Sequence, residues 1–296
     1  MKVFVVIPVR NRWKLTEVCL SSIQTQRYKN VEVVVVDDGS TDETREKMSK
    51  KFANVTILEG NGNLWWAGTT YLGVEYALQM GRDNDAVLLL NNDCILTKTC
   101  LERLVRCVIR NHGVIAGSIV KDVKTKKIIE SGVVIDWQKG KFYSTPLGDQ
   151  RVDTLTGKGV LIPLQVFQAV GNFNKTLLPH YGADYEFFQR AKKAGFQLKI
   201  CINATIYNYS RETGIDETPK HLEWRQLVKL ALTKKSKINI RDQVVLMLLC
   251  CPPVYWPVNL ARLVAKSAFL LSLVPPFIYL RRFLLRISSS WDMRFK

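Results

Sequence analysis

Acidic side chains are scarce in this chain. Twenty-six aspartates and glutamates stand against 43 lysines and arginines in 296 residues, a formal charge of +17. Such an excess suggests nucleic acid as a partner first and an anionic membrane surface second. The aromatics do not interleave with the basic residues in an RNA-binding pattern, so nucleic acid is set aside. The cysteines (Cys19, Cys94, Cys100, Cys107, Cys201, Cys250 and Cys251) lack metal-ligand spacing. They read as reduced packing residues of a cytosolic protein. No secretory leader is expected, because Val3–Val9 is too short and Arg10 and Arg12 follow it. No apolar run is both long and free of proline. Gln243–Ala261 is a charge-free run of 19 residues that contains Pro252, Pro253 and Pro257. Ser267–Leu280 is only 14 residues and holds a proline pair. Internal repeats and low-complexity tracts are absent.

Against these absences stand strand-like runs that end in polar or acidic clusters. Val3–Pro8 leads into Val9-Arg10-Asn11-Arg12. Val31–Val36 leads into Asp37-Asp38-Gly39-Ser40, and Ala86–Leu90 into Asn91-Asn92-Asp93. Later, Gly182-Ala183-Asp184-Tyr185-Glu186 opens a helix-like segment. Continuous apolar, β-branched runs read as buried parallel strands. In open parallel sheets the ligand sits beyond the carboxyl ends of the strands. The clusters are therefore expected to converge on one acidic crevice in an otherwise basic protein. Between the strands the periodicity predicts helices over Thr16–Gln26, Asp42–Phe52, Thr69–Met80, Thr99–Asn111, Pro163–Val170 and Asp184–Ala194, with a β-rich insert over Val114–Asp153. The fold class is α/β, a Rossmann-like, mainly parallel sheet with flanking helices.

The ordered segments Val5–Arg12, Val33–Asp42, Asn63–Gly68, Leu88–Cys94, Thr156–Ile162 and Gly182–Gly195 together resemble the family-2 glycosyltransferases. The resemblance covers roughly Met1 to Gly214, and the Asn63–Gly68 segment is most similar to rhamnosyltransferase-type and other cell-surface polysaccharide enzymes. It implies the nucleotide-diphospho-sugar transferase (GT-A) fold and an inverting hexosyltransferase. Such an enzyme moves a sugar from a UDP-sugar or dTDP-rhamnose type of donor to an acceptor hydroxyl.

Sugar transfer requires that charge growing on the diphosphate be neutralised and that the acceptor hydroxyl lose a proton. By resemblance, Asn91, Asn92 and Asp93 form the leaving-group site, with Asp93 the ligand of a magnesium or manganese ion. Asn91 stands where the family has an acid. Asn208 stands where relatives carry a histidine, and with Asn91 is a further candidate metal ligand. Asp38, and next Asp37, would bind the nucleobase or ribose, flanked by Pro8, Val9 and Arg10. Asn63 matches a base-contacting position. Trp65 and Trp66 either wall the donor or pack in the core. Asp184 keeps the position of the general base. Glu186 with Arg190, at i and i+4, reads as a structural pair. Thr156 and Gly157 match an acceptor-side segment, and His180 is a candidate for lining the acceptor pocket.

The division expected is a transferase domain over 1–222 and a helical, apolar and basic module over 223–296. Lys229–Lys296 reads as an interfacial, monotopic membrane module; a packed helical subdomain and a true span are the alternatives. The acceptor expected is a lipid-linked saccharide or polysaccharide of the cell envelope. The location expected is the cytoplasmic face of the membrane. Two other functions compete. A nucleotidyltransferase would need a glycine-rich loop after the first strand, and Val9-Arg10-Asn11-Arg12 has no glycine. A non-catalytic membrane-bound scaffold would not need both Asp93 and Asp184.

Overall fold

The computed structural model describes residues 1–111, 113–148, 151–210, 230–234, 236 and 238–268. Two compact units divide it, Met1–Thr213 and Gly214–Lys296.

In the first unit, strands and helices alternate: β1 (Val3–Val9), α1 (Trp13–Gln24), β2 (Val31–Asp37), α2 (Thr44–Lys51), β3 (Val55–Glu59), α3 (Trp65–Met80) and β4 (Ala86–Leu89). Then come β5 (Cys94–Leu96), α4 (Cys100–Arg110), β6 (Ile115–Asp122), β7 (Ile128–Glu130), β8 (Val133–Asp136) and β9 (Lys141–Ser144). The unit ends with β10 (Val160–Pro163), α5 (Leu164–Val170), α6 (Ala183–Lys193) and β11 (Leu198–Asn208).

The main sheet runs β3-β2-β1-β4-β10-β6-β11-β5, with β7 beside β6; β8 and β9 form a separate hairpin. Pairing is parallel among β2, β1 and β4, as their apolar runs predict, and also between β2 and β3 and between β6 and β11. β10 is antiparallel to β4 and β6, and β5 to β11. Those pairings join strands far apart in sequence, which local patterns do not encode.

The strands lack polar alternation because both faces of the sheet are covered. Val3, Val5, Ile7 and Val9 of β1 pack with Cys19, Leu20, Leu101 and Leu104 of α1 and α4. Phe4 and Val6 pack with Val74, Phe167 and Phe187 of α3, α5 and α6. Fully burying one such side chain is worth about 1.5–3 kcal/mol. Gly73 lets α3 lie against β1, since a Cβ there would meet Val6 Cγ1 at 2.4 Å. The cysteines form no disulfide among the described residues; Cys19, Cys94 and Cys100 are buried, and burial raises their thiol pKa values.

In the second unit the charge-free run is broken where its prolines predict. α7 (Ile240–Cys250) stops before Pro252, and α8 (Trp256–Ala268) starts after a single turn over Pro253–Tyr255. Asn239 caps α7, accepting from Asp242 N at 2.9 Å. No helix among the described residues is long and apolar enough to cross a membrane. Leu248, Val254, Leu260 and Val264 are exposed. The remaining apolar and basic stretch, 269–296, lies outside the described residues.

Candidate active site

The carboxyl ends of β2, β1 and β4 lie side by side, and the loops after β1 and β2 are laced together. Asn11 and Arg12 both have left-handed backbone, with φ of 58° and 70°. Asn11 N donates to Ser40 Oγ at 2.7 Å, and Asn11 Oδ1 accepts from Thr41 N at 2.8 Å. Arg10 is exposed and its guanidinium donates to the Gly62 carbonyl. Pro8 and Val9 complete the strand end below it.

Asp37 and Asp38 are buried and engaged with their own scaffold. Asp37 Oδ1 accepts from Ser40 N at 3.0 Å and Ser40 Oγ at 2.5 Å, and Arg45 approaches Oδ2 at 3.5 Å. Asp38 Oδ1 accepts from Gly62 N at 2.8 Å; its Oδ2 accepts from Leu64 N at 3.0 Å and Trp65 N at 3.1 Å. The first turn of a helix leaves N–H groups without intrahelical partners, and an anion there is favourable. Asp38 thus anchors the start of α3, which begins at Trp65 rather than at Thr69 as the periodicity predicts. Asp38→Ala is expected to lower unfolding stability by about 3 kcal/mol, the loss of charge-assisted hydrogen bonds plus stranded N–H groups. Urea denaturation measures it; an unchanged midpoint would refute the anchor.

The two tryptophans part company. Trp65 Nε1 donates to Asn63 Oδ1 at 2.9 Å, and its ring lies 5.8 Å from that of His180. Trp66 packs edge-on against Phe173 at 5.5 Å, and its Nε1 donates to Asn91 Oδ1 at 3.0 Å. Asn63 is exposed at the rim. Asn92 turns the other way: its Nδ2 donates to Thr16 Oγ1 of α1 at 3.0 Å, so it braces the helix. Asp93 is 1% exposed. Its carbonyl accepts from Tyr209 N at 3.0 Å and Asn208 Nδ2 at 3.3 Å. Asn208 Oδ1 is buried with no hydrogen-bond partner among the described residues.

Asp184 sits in the first turn of α6, after Gly182 at φ 85°. Its Oδ2 accepts from Gly157 N at 2.9 Å and its Oδ1 from Tyr185 N at 2.9 Å. Burial pushes its carboxyl up to about 6; the N–H contacts oppose this and the nearby Glu130 carboxylate adds to it. Glu186 pairs with Arg190 at 2.8 Å, as i,i+4 spacing predicts.

The loop Thr156-Gly157-Lys158 joins both sides of the crevice. Thr156 Oγ1 donates to Glu130 Oε2 at 2.6 Å, and Lys158 Nζ pairs with Glu130 Oε1 at 2.6 Å. Burial disfavours the Lys158 charge, but Glu130 and, more weakly, Asp93 outweigh it and raise its pKa. Gly157 gives its N–H to Asp184 and its bare Cα to Trp66, whose Cζ2 would lie 2.2 Å from a Cβ. Glu130 and Lys158 are members of the site that motif reading did not single out. Lys158 is signalled only by its place between two glycines, and Glu130 by nothing local.

Among the described residues, no three histidine, cysteine or acidic side chains cluster to hold a metal. A magnesium-like ion that draws on one or two carboxylates, water and substrate phosphates needs no such cage. The Asp93 carboxylate, with the orphaned Asn208 carbonyl beside its backbone, is an oxygen donor set of that kind.

The chain matches the family model described as glycosyl transferase family 2 over residues 4–159, and that of glycosyl transferase family group 2 over residues 86–290. Glycosyltransferase GlyG of Streptococcus pneumoniae is 24% identical over 259 residues, covering 78% of each chain. Two further curated glycosyltransferases are matched over only 8% and 24% of their own lengths, so the chain spans less than a quarter of each. GalNAc-T7, solved with UDP, GalNAc and Mn2+, superposes with a TM-score of 0.60 at 16% identity, over 73% of this chain and 48% of that one. S. aureus TarS 1-349 in complex with UDP-GlcNAc gives 0.55 at 16% identity, over 84% and 71%. The structural likenesses show the GT-A fold.

Proposed function

The chain belongs to glycosyl transferase family 2, and from that premise we propose that it transfers a hexose, with inversion, from a UDP-sugar or dTDP-rhamnose type of donor to a saccharide hydroxyl. One observation carries the reading. The carboxylate suited to act as base, Asp184, and the groups beside the expected leaving group, Lys158 and the Trp66–Asn91 pair, are held by a single three-residue loop. Asp184 accepts the acceptor's proton as its oxygen attacks the anomeric carbon opposite the diphosphate. Asp93 would hold a divalent cation, with Asn208 and Asn91 as neutral oxygen donors. When bound, that cation neutralises charge on the departing diphosphate. Lys158 adds a fixed positive charge on the same side. Arg10, Asn63 and Trp65 line the nucleotide end, on loops that Asp37 and Asp38 keep in place. Thr156, Gly157 and His180 face the acceptor. Neighbours crystallised with UDP, UDP-GlcNAc and Mn2+ support the donor class and the metal. The test is donor hydrolysis by the full chain across a panel of nucleotide sugars with manganese. Turnover of at least one is expected, and turnover of none overturns the reading.

The acceptor we propose is a lipid-linked saccharide or polysaccharide at the cytoplasmic face of an anionic membrane, reached through the module over 223–296. Exposed Leu248, Val254, Leu260 and Val264 beside Arg262 and Lys266 support interfacial docking. The full chain should co-float with vesicles containing anionic lipid and be released by high salt. Each basic residue at the surface is worth about 1 kcal/mol there, screened over about 8 Å at physiological salt. Failure to co-float at low salt would overturn this, as would protease protection of Gln243–Ala261 by the far leaflet.

A further inference from the structure

The β8–β9 hairpin carries aromatic rings that the reaction as described leaves unused. Its register pairs Ile135 with Phe142 and Asp136 with Lys141. Directly paired residues share one face of the ladder, so Phe142 lies on the same face as buried Ile135. It is nevertheless 43% exposed. Trp137, at the turn, meets Phe142 edge-on with centroids 5.7 Å apart and planes at 78°. Phe142 in turn stacks on Tyr185, at 5.8 Å and 28°. Tyr185 directly follows Asp184. Burial, then the Asp184 and Glu130 carboxylates, raise the Tyr185 phenol pKa, in keeping with a hydroxyl close to both acids. A row of three rings therefore runs from the hairpin turn to Tyr185, the residue that follows the carboxylate assigned to receive the acceptor's proton.

We propose that Trp137, Phe142 and Tyr185 form a carbohydrate platform that seats a pyranose ring of the acceptor beside Asp184. This rests on the transferase reading. The chemistry is direct. An aromatic face is electron-rich, a pyranose presents one face of weakly positive C–H groups, and such C–H contacts orient a ring without fixing which hydroxyls it bears. Val133 and Ile135 are buried on the inner face of the hairpin, whereas Phe142, paired with Ile135 on that face, keeps much of its ring in solvent. The platform's place is set by need: an acceptor oxygen must come within hydrogen-bond reach of Asp184, and the rings begin one residue from it.

The test uses the full chain and three named probes: methyl α-L-rhamnopyranoside, methyl β-D-glucopyranoside and methyl N-acetyl-β-D-glucosaminide. Saturation-transfer NMR should show at least one bound, with saturation concentrated on one C–H face. Phe142→Leu and Trp137→Leu keep an apolar side chain and remove the ring, and should weaken that binding about three- to tenfold, the weight of one aromatic contact. Phe142→Tyr should retain it, and thermal melting verifies that each variant folds. Should Phe142→Leu not fold, Trp137→Leu decides alone. Binding of none of the probes to the wild type, or equal binding by the folded leucine variants, overturns the platform. Donor hydrolysis by the wild type is read separately, so failure of the transferase reading is not confused with failure of the platform.

Discussion

Replacing Asp184 with asparagine should cut sugar transfer about 10²–10⁴-fold, the usual worth of a positioned general base, while donor binding stays close to wild type. The change removes the proton acceptor and little volume, and the amide oxygen can still accept from Gly157 N, although the bond from Tyr185 N is lost. The same residue predicts the pH profile. Its carboxyl is raised from an ordinary 3.8 to about 6, and only the ionised form accepts a proton. Transfer should therefore fall on the acid side of about pH 6, with donor binding much less affected. The sign for stability is opposite. A carboxyl whose pKa is higher folded than unfolded binds its proton more tightly in the fold, so stability declines as pH rises from about 4 to about 6. At neutral pH the ionised group costs the fold about 2–3 kcal/mol. Asp184→Asn should accordingly melt higher than wild type at pH 7 and lose that advantage near pH 4. Near-normal turnover by the variant would assign proton removal to another group.

The second large effect is expected at the leaving-group side. Excess chelator should bring transfer to background. Asp93→Ala should lower turnover by about 10²-fold or more, the scale of losing one electrostatic contact to developing charge. Calorimetry supplies a readout besides activity. Wild type should bind UDP more tightly with magnesium or manganese than without, and Asp93→Ala should lose that difference. Full activity in chelator, with no metal-dependent change in UDP affinity, would remove the cation and leave Lys158 as the principal positive charge there.

The parallel strands and the motifs at their ends were legible because each is local. A run such as Val31–Val36 has few options but a buried strand, and its acids must fall at the strand's end. The start of α3 was not legible. Trp65 and Trp66 read as loop because what makes them helical is the Asp38 carboxylate, arriving from the end of β2. Asn91 and Asn92 look alike in sequence, yet successive residues diverge, one toward Trp66 and the other toward Thr16. Glu130 lies in a three-residue strand of no special composition. It belongs to the site through its bonds to Thr156 and Lys158, a relation no local pattern records. Gly157, matched by its motif to the acceptor side, also leaves room for the Trp66 indole, a contact the motif does not announce.

The strand order also bears on how the protein comes off the ribosome. β4 is complete by Leu89, but its outer neighbour β10 spans Val160–Pro163, and β5 waits for β11, which closes only at Asn208. Residues through Pro163 must therefore emerge before the middle of the sheet can shut. Until then β4 offers a wholly apolar, unpaired edge, the kind of surface that invites association with other chains. Synthesis that stalls between β4 and β11 should yield a species held by chaperones rather than a smaller folded domain.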